Sequence, residues 1–121
     1  MRVLIVEDDV IIAMHLAMLV AEFGHEVVAR VGSAAEAVTQ AMALGPDVAL
    51  MDIRLDGGSG IDVARELHER QALRCIFLSA NLDEPTRAAL LPYDPIEFVG
   101  KPVVPVVLQR ALRKAEGLTE L

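Results

Sequence analysis

Short apolar runs rich in aliphatic and β-branched residues recur along the chain, and longer amphipathic or apolar segments separate them. Runs of this length without polar alternation predict strands that are buried on both faces of a sheet. Five such strands are predicted, over Val3–Val6, Glu26–Val31, Asp47–Met51, Cys75–Leu78 and Ile96–Val99.

The segments between these runs carry signals for the start and end of helices. An Asp before Val10 can cap a helix that runs to Phe23, where Gly24 ends it. Ser33 and Glu36 have the spacing of a capping box, which predicts a helix to about Leu44. A glycine-rich loop is expected over 52–60, and a helix is expected directly after it. A short or irregular helix is expected over 84–91, near several prolines, and a last helix over 103–116.

Strands that alternate with helices predict a parallel sheet with right-handed crossovers and helices on both faces. The chain has 121 residues, which is the size of one ordinary domain. We therefore expect residues 1–121 to form a single doubly wound α/β domain with five strands and five helices.

Composition and charge narrow the classes of partner. Apolar residues make up 54% of the chain, which excludes a disordered segment, and the net charge of -7 makes general attraction to nucleic acid or anionic lipid unfavourable. The longest apolar stretch, Val10–Ala21, is shorter than the ~20 residues of a membrane helix, and no secretion signal precedes Glu7. With a lone Cys75, the sequence favours a cytoplasmic protein that binds neither nucleic acid nor membrane directly.

Polar side chains follow four of the predicted strands. Glu7 and Asp8 follow the first strand, Asp52 the third and Ser79 the fourth, and Lys101 comes soon after the fifth. Ligands of doubly wound sheets bind outside the carboxyl ends of the strands. We therefore expect three carboxylates, a hydroxyl and an ammonium to meet at one edge of the sheet.

This set of side chains is suited to phosphoryl chemistry with a divalent cation. Two carboxylates about 4 Å apart repel by roughly 4 kcal/mol at an effective dielectric constant near 20, and a bound cation relieves that repulsion. Oxygen ligands without His or Cys favour Mg²⁺. Asp52 can act as a nucleophile, while Lys101 and Ser79 can bind the oxygens of a transferred group.

In these residues the chain resembles the receiver domains of two-component response regulators. The resemblance implies a flavodoxin-like, three-layer fold with strand order 2-1-3-4-5. Four motifs in family order carry it across essentially the whole chain: Val3–Asp9, Leu50–Leu55 with Gly60, Phe77–Ala80, and Lys101–Pro102.

The resemblance also implies roles for these residues. Asp52 would accept a phosphoryl group, and Mg²⁺ would be held by Glu7, Asp8, Asp52 and the backbone carbonyl of Arg54. Ser79 and Lys101 would bind the phosphoryl oxygens. The Lys101–Pro102 peptide bond would be cis.

Conformational switching would involve a coupled pair of side chains, Ser79 and Phe98. By the same resemblance, Arg54 and Asn81 would flank the path of the attacking water and set the lifetime of the phosphorylated state. The implied phosphodonor is a sensor histidine kinase or a histidine phosphotransfer protein, and the output is a downstream protein target or a neighbouring domain. The chain would act as a signalling switch and not as an enzyme on another substrate.

Two other functions stay open at this point. A pseudo-receiver would keep the fold as an interaction module without phosphorylation, although the retention of all the acidic and basic site residues argues against it. A Mg²⁺-dependent phosphohydrolase would use Asp52 as its nucleophile, but phosphatases of the haloacid dehalogenase type place a second Asp two residues later, where this chain has Arg54.

Overall fold

A parallel sheet forms the centre of the protein, whose computed structural model describes residues 1–55 and 57–119. In chain order the strands are β1 (Arg2–Val6), β2 (Glu26–Val31), β3 (Val48–Asp52), β4 (Arg54–Leu55), β5 (Gly58–Ser59), β6 (Cys75–Ser79) and β7 (Glu97–Gly100). The helices are α1 (Val10–Glu22), α2 (Ala34–Leu44), α3 (Gly60–Gln71), α4 (Glu84–Leu90) and α5 (Pro105–Thr119).

The large sheet has five parallel strands in the order β2-β1-β3-β6-β7. Counting only these strands, the order is 2-1-3-4-5, so the predicted topology is confirmed. Helices α1 and α5 pack on one face of the sheet, and α2, α3 and α4 pack on the other. The fold is the doubly wound, three-layer α/β architecture that the sequence predicts.

Burial on both faces explains why the inner strands are continuous apolar runs. Side chains along β1, β3 and β6 alternate between two core clusters, one under each layer of helices. In β1, for example, Val3 and Ile5 face α1 and α5, whereas Leu4 and Val6 face the opposite layer. The strand ends that carry polar side chains are therefore held firmly in place.

Helix ends follow the capping signals in the sequence. The Asp9 carboxylate caps α1 by accepting hydrogen bonds from the backbone N–H groups of Ile11 and Ile12. The Ser33 hydroxyl accepts the backbone N–H of Glu36 at 3.2 Å and so begins α2. The last helix starts at Pro105, two residues later than predicted, because proline suits the first position of a helix.

The glycine-rich loop near the carboxyl edge differs in detail from the prediction, whereas the fourth helix agrees with it. The expected loop 52–60 contains a short antiparallel hairpin of β4 and β5, although its Asp56 lies outside the described residues. Next to it, a Cβ atom on Gly60 would collide with the carbonyl oxygen of Asp52, so only glycine fits there. Helix α4 is short, as predicted, and a 3-10 turn over Leu91–Tyr93 follows it.

The structure also bears on two expectations from composition, which concern membrane-spanning helices and the lone cysteine. No helix in the part of the chain that the structure describes is long and apolar enough to cross a membrane. The Cys75 thiol is buried in β6, and burial raises its pKa to about 12, which makes it an inert core side chain.

Candidate functional site

Three carboxylates meet at the carboxyl edge of the sheet. Glu7 and Asp8 lie directly after β1, and Asp52 ends β3, the neighbouring strand. Each residue offers a carboxylate oxygen, and these oxygens all lie within 4.8 Å of one another. Glu7 and Asp52 are buried, at 3% and 5% exposure, whereas Asp8 is open to solvent.

Lys101 supplies the positive charge at this cluster. It follows β7, and its Nζ atom contacts Glu7 Oε1 and lies 3.1 Å from Asp52 Oδ2. Burial alone would lower the pKa of the Lys101 amine, but hydrogen bonds and charge interactions with the two carboxylates outweigh burial and raise it. The lysine is therefore held in its charged form. Its peptide bond to Pro102 is cis, as the sequence resemblance implied.

Glu7 lies in an environment that opposes its ionisation. Burial is the larger cause and hydrogen bonding to the Asp52 carboxyl the second, and together they raise the pKa of Glu7 to about 7. Hydrogen bonds with Lys101 and with the Asp9 backbone act in the opposite direction and lower it. Among the described residues, Glu7 Oε1 contacts the Lys101 ammonium but finds no partner with good hydrogen-bond geometry. This buried oxygen therefore interacts with the protein through the charge of Lys101.

The remaining predicted residues line a cleft of about 360 Å³ beside the carboxylates. Asp52 Oδ1 accepts the backbone N–H of Arg54 at 3.2 Å, which ties the carboxylate to the following turn. The Ser79 hydroxyl donates to the carbonyl of Asn81 at 3.1 Å and accepts the Asn81 N–H at 3.0 Å. The structure thus brings together every predicted side chain of this edge: Asp8, Asp52, Arg54, Ser79, Asn81 and Lys101 line the cleft, and Glu7 adjoins it through Lys101.

Phe98 lies outside this cleft. It is half-buried on β7 and pairs in register with Phe77 of β6. The two rings stack with centroids 5.9 Å apart. Phe98 is therefore one strand away from Ser79, which ends β6.

Sequence reasoning missed two residues that line the cleft, Asp83 and Thr86. The Asp83 carboxylate caps α4 by accepting the Thr86 N–H at 2.9 Å. Hydrogen bonding to the Thr86 side chain, and then to its backbone, lowers the pKa of Asp83. An Asp three residues before the amide that it caps is a recognisable signal of a helix start. That signal could have placed both residues at the mouth of the cleft.

Comparisons with known proteins agree with this geometry. The model of the family "Response regulator receiver domain" matches residues 3–113. The transcriptional regulatory protein PdtaR of Mycobacterium tuberculosis is 38% identical over 79 residues, which make up 65% of this chain and 38% of PdtaR. The transcriptional activator DevR/DosR of the same organism is 32% identical over 114 residues, or 93% of this chain and 52% of that protein. The chain thus spans about half the length of these relatives or less.

Solved structures show the same relationship. The signal receiver domain of a modulated diguanylate cyclase from Desulfovibrio desulfuricans superposes with a TM-score of 0.85 at 32% identity, covering 94% of this chain and 91% of that one. The response regulator PhyR from Brucella abortus superposes with a TM-score of 0.84 at 33% identity, covering 98% of this chain and 49% of PhyR. With the family match over residues 3–113, these likenesses show that the chain belongs to the response regulator receiver domains of two-component systems.

Proposed function

We propose that residues 1–121 form one receiver domain that accepts a phosphoryl group on Asp52 and then alters a protein-interaction surface. The observation that carries this proposal is the position of the Asp52 carboxylate: it is buried at the end of β3, faces the cleft, and lies 3.1 Å from the Lys101 ammonium. A fixed carboxylate beside a fixed positive charge is suited to attack on phosphorus, since catalysis of phosphoryl transfer consists mainly of positioning and charge stabilisation.

The donor set fits Mg²⁺. Three carboxylates within 4.8 Å of one another offer hard oxygen ligands, which Mg²⁺ prefers over His or Cys. Asp8 and Asp52 would hold the ion together with the backbone carbonyl of Arg54, and Glu7 would take part through water. When bound, the ion neutralises charge on the carboxylates and on the transferred group.

The protein's own groups would carry out the transfer. An Asp52 oxygen attacks the phosphorus of a phosphohistidine, the N–P bond breaks, and the histidine nitrogen leaves with the electron pair of that bond. The product is an acyl phosphate on Asp52. Lys101 and the Ser79 hydroxyl would bind its oxygens, for which the hydroxyl must leave its present hydrogen bonds with Asn81.

Loss of the phosphoryl group would reset the domain. Water attacks phosphorus, the acyl phosphate bond breaks, and inorganic phosphate leaves while the Asp52 carboxylate is restored. Arg54 and Asn81 line the cleft beside Asp52 and are exposed, so their side chains would control the approach of that water and the lifetime of the phosphorylated state.

The proposed partners follow from this chemistry. A sensor histidine kinase or a histidine phosphotransfer protein supplies the phosphohistidine. The output is a downstream protein or a neighbouring domain, reached through movement of Ser79 and Phe98. The net charge of -7 makes direct contact with nucleic acid or an anionic membrane unfavourable.

The test is the intact mass of the protein after incubation with acetyl phosphate, with and without Mg²⁺. We expect one phosphoryl increment, stable in acid and labile in base, that requires both Mg²⁺ and Asp52 and is lost in Asp52→Asn. Asp62→Asn is the matched control, because Asp62 is an exposed carboxylate in the first turn of α3 and does not line the cleft. Mg²⁺ binding without any increment, and without release of phosphate, would instead identify a pseudo-receiver.

A further inference from the structure

A single side chain, Arg87 of α4, contacts both the loop that follows Ser79 and the ring of Phe98. Its Nε–H group donates a hydrogen bond to the carbonyl oxygen of Leu82 at 3.2 Å. Its guanidinium carbon lies 4.8 Å from the centroid of the Phe98 ring, within the range of a cation–π interaction. Arg87 is half-buried, so both contacts are partly shielded from water.

Helix α4 is short, and Leu90 packs it on the core. It has seven residues, and within these residues, all of which the structure describes, Leu90 alone is buried. A helix of this length is marginal by itself, so it depends on its contacts with the rest of the protein. Arg87 adds a polar connection from α4 to the preceding loop and to β7.

The loop contact joins Arg87 to the hydroxyl that the proposed switch must move. The Ser79 hydroxyl is bonded to both the N–H and the carbonyl of Asn81, and Leu82 is the next residue. If the hydroxyl turns toward a phosphoryl group on Asp52, both bonds to Asn81 break. We then expect the Leu82 carbonyl to move and its hydrogen bond with Arg87 to break.

We propose that Arg87 is a positioning residue that couples the loop following Ser79 to the ring of Phe98 and stabilises the unphosphorylated arrangement of both. This inference rests on the proposed function, because it assigns Arg87 a part in the same switch. A contact made in only one of two states stabilises that state by its own interaction energy. Breaking the contact with Leu82 frees the guanidinium, and the Phe98 ring loses the cation that holds it.

Arginine is suited to this bridge, and lysine is not. The planar guanidinium can donate in its plane to a carbonyl while its face lies on an aromatic ring. A lysine ammonium is a compact charge on a flexible chain, so Arg87→Lys keeps the charge but cannot hold both contacts in this geometry. Arg87→Gln removes the charge as well. Arg113→Gln is the matched control. Arg113 is exposed on α5, and its replacement changes the net charge by the same amount as Arg87→Gln.

The bridge can be tested in the unphosphorylated protein by ¹⁹F NMR. The chain has three phenylalanines, so labelling with 4-fluorophenylalanine gives a simple spectrum in which the Phe98 signal is the one lost in Phe98→Leu. We expect the Phe98 signal to shift in Arg87→Gln and in Arg87→Lys, and to be unchanged in Arg113→Gln. The Phe23 signal, from the far end of α1, reports that each variant is folded. An unchanged Phe98 signal in Arg87→Gln would overturn the proposal. A signal that shifts in Arg87→Gln but not in Arg87→Lys would show that the charge alone is needed, which would overturn the geometry proposed for the guanidinium.

The coupling itself is tested with acetyl phosphate and Mg²⁺. We expect the Phe98 signal of the wild type to move on phosphorylation and to move less in Arg87→Gln. Phosphorylation of Arg87→Gln should be about two- to fivefold faster, the factor that corresponds to one cation–π contact at the weak end of its usual range. Equal rates with equal movement of Phe98 would contradict the coupling. If no variant gains a phosphoryl group, the proposed function fails, while the spectra of the unphosphorylated protein still decide whether the bridge exists.

Discussion

The buried Glu7 carboxyl makes the stability of the metal-free protein depend on pH. Its pKa is raised from an ordinary value of 4.5 to about 7, first by burial and then by hydrogen bonding to Asp52. A raised pKa means that the folded state keeps a proton that the unfolded chain releases. The stabilisation is fully present below about pH 4.5, where both states are protonated, and is lost as the pH rises through the folded pKa of about 7.

The expected size of this effect follows from the two pKa values. A difference of one unit between folded and unfolded pKa values corresponds to about 1.4 kcal/mol of free energy. Between about pH 5 and about pH 8, the linkage relation gives a loss of about 2 to 3 kcal/mol in the free energy of unfolding from Glu7 alone. Glu7→Gln removes this titration, so it removes that part of the pH dependence.

Urea unfolding in EDTA at these two pH values measures the effect. The wild type should lose about 2 to 3 kcal/mol more than Glu7→Gln on going from the lower to the higher pH. Glu69→Gln is the control, because Glu69 is an exposed carboxylate on α3 and should follow the wild type. If the wild type and Glu7→Gln lose equal stability, burial does not control the ionisation of Glu7 and the reasoning is refuted.

Three further predictions concern the same edge of the sheet. Asp52→Asn should lose less stability than the wild type between the same two pH values, because the Asp52 carboxyl helps to raise the pKa of Glu7; an equal loss would contradict this. Mg²⁺ should raise the melting temperature of the wild type, and less so that of Asp8→Asn, which calorimetry would detect; equal increases would argue against Asp8 as a ligand. Gly60→Ala should reduce the free energy of unfolding by about 3 kcal/mol through its collision with the Asp52 backbone. Gly117→Ala is the control, since its Cβ would meet nothing within 4 Å in a helix and should stabilise by about 0.5–1 kcal/mol.

Those parts of the fold that depend on burial could be predicted from sequence, because burial leaves a periodic pattern. The apolar runs Val3–Val6, Val48–Met51 and Cys75–Leu78 contain no polar residue, so the first polar residue after each run marks the carboxyl edge. That rule placed Glu7, Asp52 and Ser79 at one edge before any geometry was known. The capping signals of α1 and α2 were equally direct, because caps depend on local hydrogen bonds.

Other features depend on which residues meet across the fold, and these could not be predicted. The raised pKa of Glu7 requires knowing that its carboxyl is buried beside Asp52 and Lys101, which are distant in sequence. The contact of Arg87 with Phe98 is another such case, since nothing near Arg87 in the sequence indicates an aromatic partner. The hairpin of β4 and β5 was missed because glycine-rich segments allow many backbone conformations.

The cleft lies between firmly packed strand ends and a loop and short helix that are less buried. This difference indicates which parts of the protein would move when Asp52 carries a phosphoryl group. The carboxylates of Glu7 and Asp52 lie at the ends of strands buried on both faces, so they cannot separate to relieve their repulsion. By contrast, the loop after Ser79 and the short helix α4 bury little apolar area, and Arg87 connects α4 to that loop and to the Phe98 ring of β7. Local rearrangement costs least where burial is least. A change of charge on Asp52 would therefore be transmitted through the loop, α4 and the side chains that contact them, and not by displacement of the strand backbones.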